Sequence, residues 1–278
     1  MPSEEEVPAH TRDIHHLHKH MRETEVKSWP IANYKGTDDD DAAPGQDALH
    51  RAMLVDWLVE LVDVFDMCPR SAFLAVAYTD AFLSRTTVSR DQLQLVAATC
   101  LHVASKCEDT AYISVNDLVM CADNLYTSAE VLQMEEKLLN VLDFRLGVPN
   151  VYDFLKLLME KLPALLAPDS DVRWLSEYLA ELSMQDNEFL KVLPSKAAAC
   201  CVAVALYCKD QPHWPAELEE ACKWSWAELE SCMRVLHVTY HRSPHSALTV
   251  IKGRYEKAER NGVANLAPPM NFDNMTWD

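Results

Sequence analysis

The sequence predicts an all-α chain built as two five-helix domains in tandem, and three observations lead there. Glycine is nearly absent: there are five in 278 residues, none between Ala48 and Leu146, and that stretch holds a single proline, Pro69. Sheet proteins of this length need glycine- and proline-rich turns at short intervals, whereas helices joined by capped loops do not. Polar caps stand in front of apolar residues spaced three and four apart. One helical pattern also occurs twice, about a hundred residues apart.

Residues 47–146 form the first domain, with helices over roughly 50–66, 70–85, 90–107, 114–122 and 127–142. On the first helix Met53, Leu54, Trp57, Leu58, Leu61, Val62 and Phe65 recur at helical spacing, and Asp56, Glu60 and Asp63 form one narrow polar stripe. Most of its circumference is therefore expected to be buried. Ser89 with Gln92 opens the third helix and Ser114 with Asp117 the fourth. Thr127 with Glu130 opens the fifth as a capping box, in which each side chain satisfies an orphan backbone donor. Gly147-Val148-Pro149-Asn150 breaks the pattern. The second domain, 147–245, holds helices over roughly 150–161, 170–184, 195–209, 215–222 and 225–242. The last of these opens on a second capping box, Ser225 with Glu228, and 246–278 remain as a C-terminal tail.

The repeat is carried by two pairs in the same order: "AATCLHVAS" from Ala97 with "AAACCVAVA" from Ala197, and "YTSAEVL" from Tyr126 with "WSWAELE" from Trp224. Alanine, cysteine and threonine let neighbouring helix axes approach closely on several sides, which suits a central helix surrounded by four others. An ordinary helix pair in a bundle would not explain a second alanine-rich helix in the matching slot.

Composition narrows the function classes. The net charge of -18, from 43 acids and 25 bases, argues against a grip on nucleic acid or on an anionic membrane and favours a basic partner. The nine cysteines are odd in number and lack a Cys-x-x-Cys pair, so neither a disulfide framework nor a zinc site is expected, and a reducing intracellular compartment follows. The longest apolar run, Ala197 to Cys208, is too short to span a bilayer, and the acidic start has no signal-peptide apolar region. No phosphate loop or hydrolase motif is present, so no enzyme and no cofactor are expected.

The stretches "HRAMLVDWLVELVDVF" (His50–Phe65), "FLSRTTVSRDQLQLVAATCLHVASKCED" (Phe82–Asp109), "YTSAEVLQMEEKLLNVLDF" (Tyr126–Phe144) and "FLKVLPS" (Phe189–Ser195) together closely resemble the cyclins, nearest the A-type with B-type second. The resemblance runs from about Asp13 to Pro269. It implies tandem cyclin boxes preceded by an N-terminal helix in 1–46, carried by "RDIHHLHKHMRETE". It also implies a non-catalytic subunit that activates a cyclin-dependent serine/threonine protein kinase, controls cell-cycle progression, and resides in the nucleus and also the cytoplasm.

Site residues follow from the same resemblance. Lys106 and Glu135 match the charged kinase contacts, with Cys107 and Glu108 beside Lys106, and Ile14 and Phe144 stand where apolar kinase contacts lie. From the residues alone Glu135 is equally a surface charge at the edge of an apolar stripe formed by Val131, Leu138, Leu139 and Leu142. His50, Met53, Leu54 and Trp57, joined by Gln94 and edged by Glu60, match the groove that docks Arg-x-Leu segments of substrates and kinase inhibitors. The spacing by itself favours plain core, and the resemblance reverses that reading. Arg51 and Asp80 match a structural pair tying the first helix to the second.

Departures from the family pattern are specific. His50 replaces methionine, which makes a different peptide affinity or pH dependence an expectation. Cys107 replaces an aromatic, "TAYIS" stands where the family has a Tyr-Pro-Pro turn, and no Arg-x-x-Leu destruction box precedes the domains. The last point implies a fragment or a different control of degradation. A kinase-binding mimic that does not activate, and a DNA-binding transcription adaptor of the same fold, stand as alternatives; the adaptor would need a basic stripe. His16 with His20, and His237 with His241 and His245, have metal-ligand spacing, but they read as solvated faces and as a helix C-terminus. "DDDDAAPG" lacks the frame of a calcium loop and reads as a solvated turn.

Overall fold

The computed structural model describes residues 9–28 and 46–268. These hold twelve α-helices and no β-strand. The acidic turn at 38–45 lies outside the described residues. No described helix is long and apolar enough to cross a membrane.

The first domain comprises α2 (Gln46–Val64), α3 (Pro69–Arg85), α4 (Leu93–Glu108), α5 (Val115–Cys121) and α6 (Ser128–Val141). The second comprises α7 (Val151–Lys161), α8 (Asp171–Gln185), α9 (Pro194–Cys208), α10 (Ala216–Cys222) and α11 (Trp226–Arg242). The small-residue helices are the two centres. α4 is buried without interruption from Leu95 to Ser105 and packs against α2, α3, α5 and α6. α9 is buried from Ala197 to Leu206 and packs against α7, α8, α10 and α11. Side chains no larger than alanine, cysteine or threonine at many of these positions bring the flanking backbones close, so each centre contacts four neighbours at once.

The caps fall largely where the spacing places them. Thr127 with Glu130 and Ser225 with Glu228 form reciprocal capping boxes, and Ser114 accepts from the Asp117 backbone. Asn150 with Asp153 forms a further box at the start of α7. Ser89 differs. It heads a 3-10 turn over Arg90–Gln92 and makes no side-chain cap bond, so α4 starts at Leu93. The Gln92 amide is already taken by the Ser89 carbonyl at 3.0 Å, which leaves the hydroxyl no orphan donor to satisfy there.

The polar stripe on α2 also differs from a solvated edge. Glu60 is exposed, but Asp56 is buried: its Oδ1 accepts from Gln185 Nε2 at 2.9 Å and its Oδ2 from the Val250 amide at 3.4 Å. Burial pushes its carboxyl up from the usual range, and the hydrogen bonds from Val250, Ile251 and Gln185 oppose that. The Val250 amide opens α12 (Val250–Tyr255), which packs against both α2 and α8. Arg254 of α12 donates to Glu181 at 2.8 Å, and its Nε lies 3.0 Å from Asp63 of α2. Tyr255 donates to the other Glu181 oxygen at 2.8 Å. α12 is thus a strap whose polar groups hold one helix from each domain.

α1 (Ala9–Ser28) is bound mainly to the second domain. Glu25, fully buried, accepts from both the amide and the hydroxyl of Ser195, at 2.9 and 2.7 Å. A carboxylate there satisfies an orphan donor at the start of α9 and meets the positive end of its dipole. Arg22 stacks 3.8 Å over the Trp224 ring and pairs with Glu25 at 3.1 Å.

Candidate functional site

The C-terminal end of α4 is where a buried helix emerges. Ser105 is buried, whereas Lys106 and Cys107 are exposed. Lys106 Nζ meets a Glu135 carboxylate oxygen, and α6 presents that carboxylate from between Val131 and Leu138, both buried. The second Glu135 oxygen lies 3.8 Å from Nε2 of the buried His102. His102 Nδ1 donates to the Ile113 carbonyl at 2.8 Å, and burial holds the imidazole below its usual range. His102 is therefore neutral at pH 7 with its proton on Nδ1, so Nε2 offers Glu135 no donor and the carboxylate's one charged partner here is Lys106.

Glu108 turns inward. It pairs with Arg70 of α3, whose guanidinium also clasps Asp153 of α7, with Nη2 to Oδ2 at 3.1 Å. Asp109 accepts from the Cys68 amide and the Ser71 hydroxyl, both at 2.6 Å, and so caps α3, whose Cys68 offers no side-chain cap. Glu108 and Asp109 stitch the end of α4 to α3, and Arg70 carries that stitch across to the second domain. Composition and spacing gave no sign of Arg70, because its two partners are 38 and 83 residues away.

Phe144 follows α6 in the left-handed region at φ 55° and is 66% exposed. Ile14 is half-buried, packs against the core, and lines a cavity between α1, α7 and α10. In the segment "TAYIS", Ile113 is buried while Tyr112 is exposed and sits edge-on to His102 at 5.9 Å.

The start of α2 presents a second surface. Met53 is 52% exposed, while Leu54 and Trp57 are partly buried and packed against the core. His50 and Gln94 are half-buried, and Glu60 is exposed. Leu49, 56% exposed, extends the apolar strip one turn toward the N-terminus. It stands four residues before Met53, so the same spacing that marks Met53 and Trp57 also marks it.

Arg51 lies on the opposite side of this helix start and is 4% exposed. Its guanidinium makes a two-pronged bond to Asp80 of α3, at 2.6 and 2.7 Å. It also donates to the Met184 carbonyl at 2.7 Å and to Asn187 at 3.3 Å, both in the second domain.

Comparison with known proteins places this arrangement. Residues 16–147 match the family model for the cyclin N-terminal domain, and residues 149–269 match that for the cyclin C-terminal domain. The chain belongs to the cyclin family. This cyclin is 36% identical over 266 residues to cyclin-A2 of Bos taurus and 33% identical over 266 residues to the G2/mitotic-specific cyclin-A of Hydra viridissima. Both alignments cover 95% of this chain, but 59% and 60% of those relatives, so the chain spans about three fifths of their length. A solved viral cyclin from herpesvirus saimiri superposes with a TM-score of 0.68 at 16% identity, covering 80% of this chain and 96% of that one. A chain of the Chaetomium thermophilum CAK complex bound to ATP-gamma-S superposes with a TM-score of 0.55 at 15% identity, covering 93% and 85%. At those identities the likeness is one of fold. The cyclin fold thus carries the Lys106–Glu135 edge and the α2 strip on the first domain.

Proposed function

We propose that this cyclin is the activating regulatory subunit of a cyclin-dependent serine/threonine protein kinase and contributes no catalytic group of its own. A kinase is active only when the glutamate of its C-helix pairs with the strand lysine that holds the ATP phosphates. A rigid surface that binds only the inward C-helix shifts that equilibrium and reorders the activation loop. The observation that best supports this reading is the Lys106–Glu135 pair. It stands at the open end of α4, which Arg70 anchors through the nearby residue Glu108. Phe144 and Cys107 offer exposed surface near it in sequence, and Ile14 on α1 is a further proposed contact. Glu108, paired with Arg70, fixes the end of α4 and is a further proposed kinase contact. Nuclear as well as cytoplasmic residence goes with this reading.

The test is a titration of a purified cyclin-dependent kinase with this chain and with a Lys106→Ala/Glu135→Ala variant. Saturable activation is expected from the parent, with the midpoint shifted by about tenfold or more in the variant, as for loss of a desolvated interface charge pair. A folded parent that activates none of several such kinases sinks the proposal; binding without activation would mark a mimic, and no binding an adaptor.

The α2 strip is proposed to dock Arg-x-Leu segments, with leucine on Met53, Leu54 and Trp57 and arginine toward Glu60. Met53→Ser is expected to leave kinase activation unchanged and to weaken an Arg-x-Leu peptide about tenfold, the loss of one buried apolar side chain. Peptide anisotropy reads this directly, and equal affinity in both proteins would remove Met53 from the groove.

A further inference from the structure

In a chain with a net charge of -18, one cavity among the described residues gathers three lysines in its lining. It lies between α1, the last turn of α7 and the end of α10, and encloses about 720 Å³. Lys161 enters it from α7 and Lys223 from the residue after α10, held in the left-handed conformation at φ 59°. Lys19 and His15 face it from α1. Among the described residues no ion pair joins Lys161, Lys223 or Lys19 to a carboxylate, although the exposed Glu160, Glu217 and Glu220 also line the space. Lys161 is instead held by neutral acceptors: Nδ1 of His18 at 2.7 Å and the Ala221 carbonyl at 3.0 Å. Two of its three N–H donors are used, and the third remains for a ligand. Arg22, committed to Glu25 and Trp224, closes the wall.

The electrostatics agree with this geometry. Burial first, and then the Lys223 charge, push Lys161 down to about 8. Burial, then Lys161, Arg22, Lys223 and His15, push His18 down to about 4, so it stays neutral and accepts from Lys161. Lys161, Lys223 and Lys19 share this space with no carboxylate at ion-pair distance, an arrangement that a bound anion relieves.

We propose that this cavity binds a phosphate group, held by Lys161 and Lys223 with Lys19 and His15 on its outer side. A phosphate monoester offers up to two charges and three strong acceptor oxygens, enough to meet two ammonium groups at once. Its affinity is expected to be greatest between about pH 6, the second ionisation of the ester, and about pH 8, above which Lys161 loses its proton.

Titration calorimetry of the chain with inorganic phosphate, against chloride at equal ionic strength, tests the site with Lys161→Met and Lys223→Gln in parallel. Saturable binding to the parent that weakens about tenfold in each variant is the expected result. No saturable binding, or undiminished binding in both variants, overturns it. Lys223 is exposed, so its variant keeps the test valid if the Lys161 variant does not fold. A phosphoserine peptide and its unphosphorylated twin then separate the sources. Binding of the phosphopeptide alone, displaced by inorganic phosphate, assigns a protein-borne group; phosphate binding without peptide binding assigns a small molecule. Ile14, a proposed kinase contact, lines the same cavity, but neither lysine is among the residues proposed to touch the kinase, and the calorimetry uses this chain without a kinase, so the two readings fail separately.

Discussion

Arg51→Met is expected to cost about 3–5 kcal/mol of stability, read as a lower urea midpoint by circular dichroism. The reason is what it leaves behind. Asp80 is 1% exposed and receives both prongs of the Arg51 guanidinium, so removing the arginine strands a charge in the core. The same side chain holds the Met184 carbonyl and Asn187, so the loss loosens the seam between the two boxes as well as the α2–α3 contact. Arg51→Lys is expected to recover only part of the loss, because an ammonium cannot reproduce the two-pronged bond. Arg51→Met/Asp80→Leu is expected to lie closer to the parent than either single change, since an apolar pair leaves no orphaned charge. A single-variant loss below about 1 kcal/mol would rank the pair with exposed salt bridges and refute this account.

Arg254→Met is expected to cost a similar amount, about 3–5 kcal/mol at pH 7, and to make stability depend on pH in a defined direction. Glu181 is 3% exposed, and burial already pushes its carboxyl up from the usual range while Arg254 and Tyr255 oppose that. Without the guanidinium the shift grows. A carboxyl raised in the folded state stabilises that state below its unfolded value, near 4.3, and loses this contribution as pH rises through the folded value. The gap between variant and parent should therefore narrow as pH falls from 7 toward 5. Urea midpoints at both pH values check this, and a gap independent of pH would mean that Glu181 is not the group left uncompensated.

The interactions behind these two predictions differ in how readable they are. The Arg51–Asp80 pair follows from a resemblance at the level of single residues, but nothing in the residues themselves shows that the arginine also reaches Met184, 133 positions along. Arg254, Glu181 and Asp63 carry no local signal, and their segment reads as a tail. Asp56 reads as one member of a solvated stripe because helical spacing records which face a residue is on, not what later covers that face. The same applies to Glu25, a polar residue on a polar helix until Ser195, 170 residues away, supplies two donors to it. Arg70 likewise becomes a clamp only when α4 and α7 meet beside it.

Local chemistry, by contrast, is written within four residues. The capping boxes at Thr127 and Ser225 need only a hydroxyl and a carboxylate three positions apart, and both form as the spacing indicates. Ser89 has the same spacing with glutamine and does not cap, because a 3-10 turn had already used the backbone donor. The two surface sites divide in a similar way. Exposure of Met53 and partial burial of Trp57 cannot be told from full burial by periodicity on a helix that is apolar nearly all round, so only the packed neighbours decide it.

The amino-acid sequence by itself determined the all-helical class, the two five-helix repeats and the identity of their central helices. It could do so because helix propensity, capping and the small side chains that allow close approach act between residues near in the chain. Tertiary structure alone decided which charges are buried, how α1 docks on the second box and α12 ties the two boxes together, and that Lys161 and Lys223 share a cavity. Those outcomes depend on desolvation and on contacts between residues scores of positions apart, and neither exists until the helices have packed.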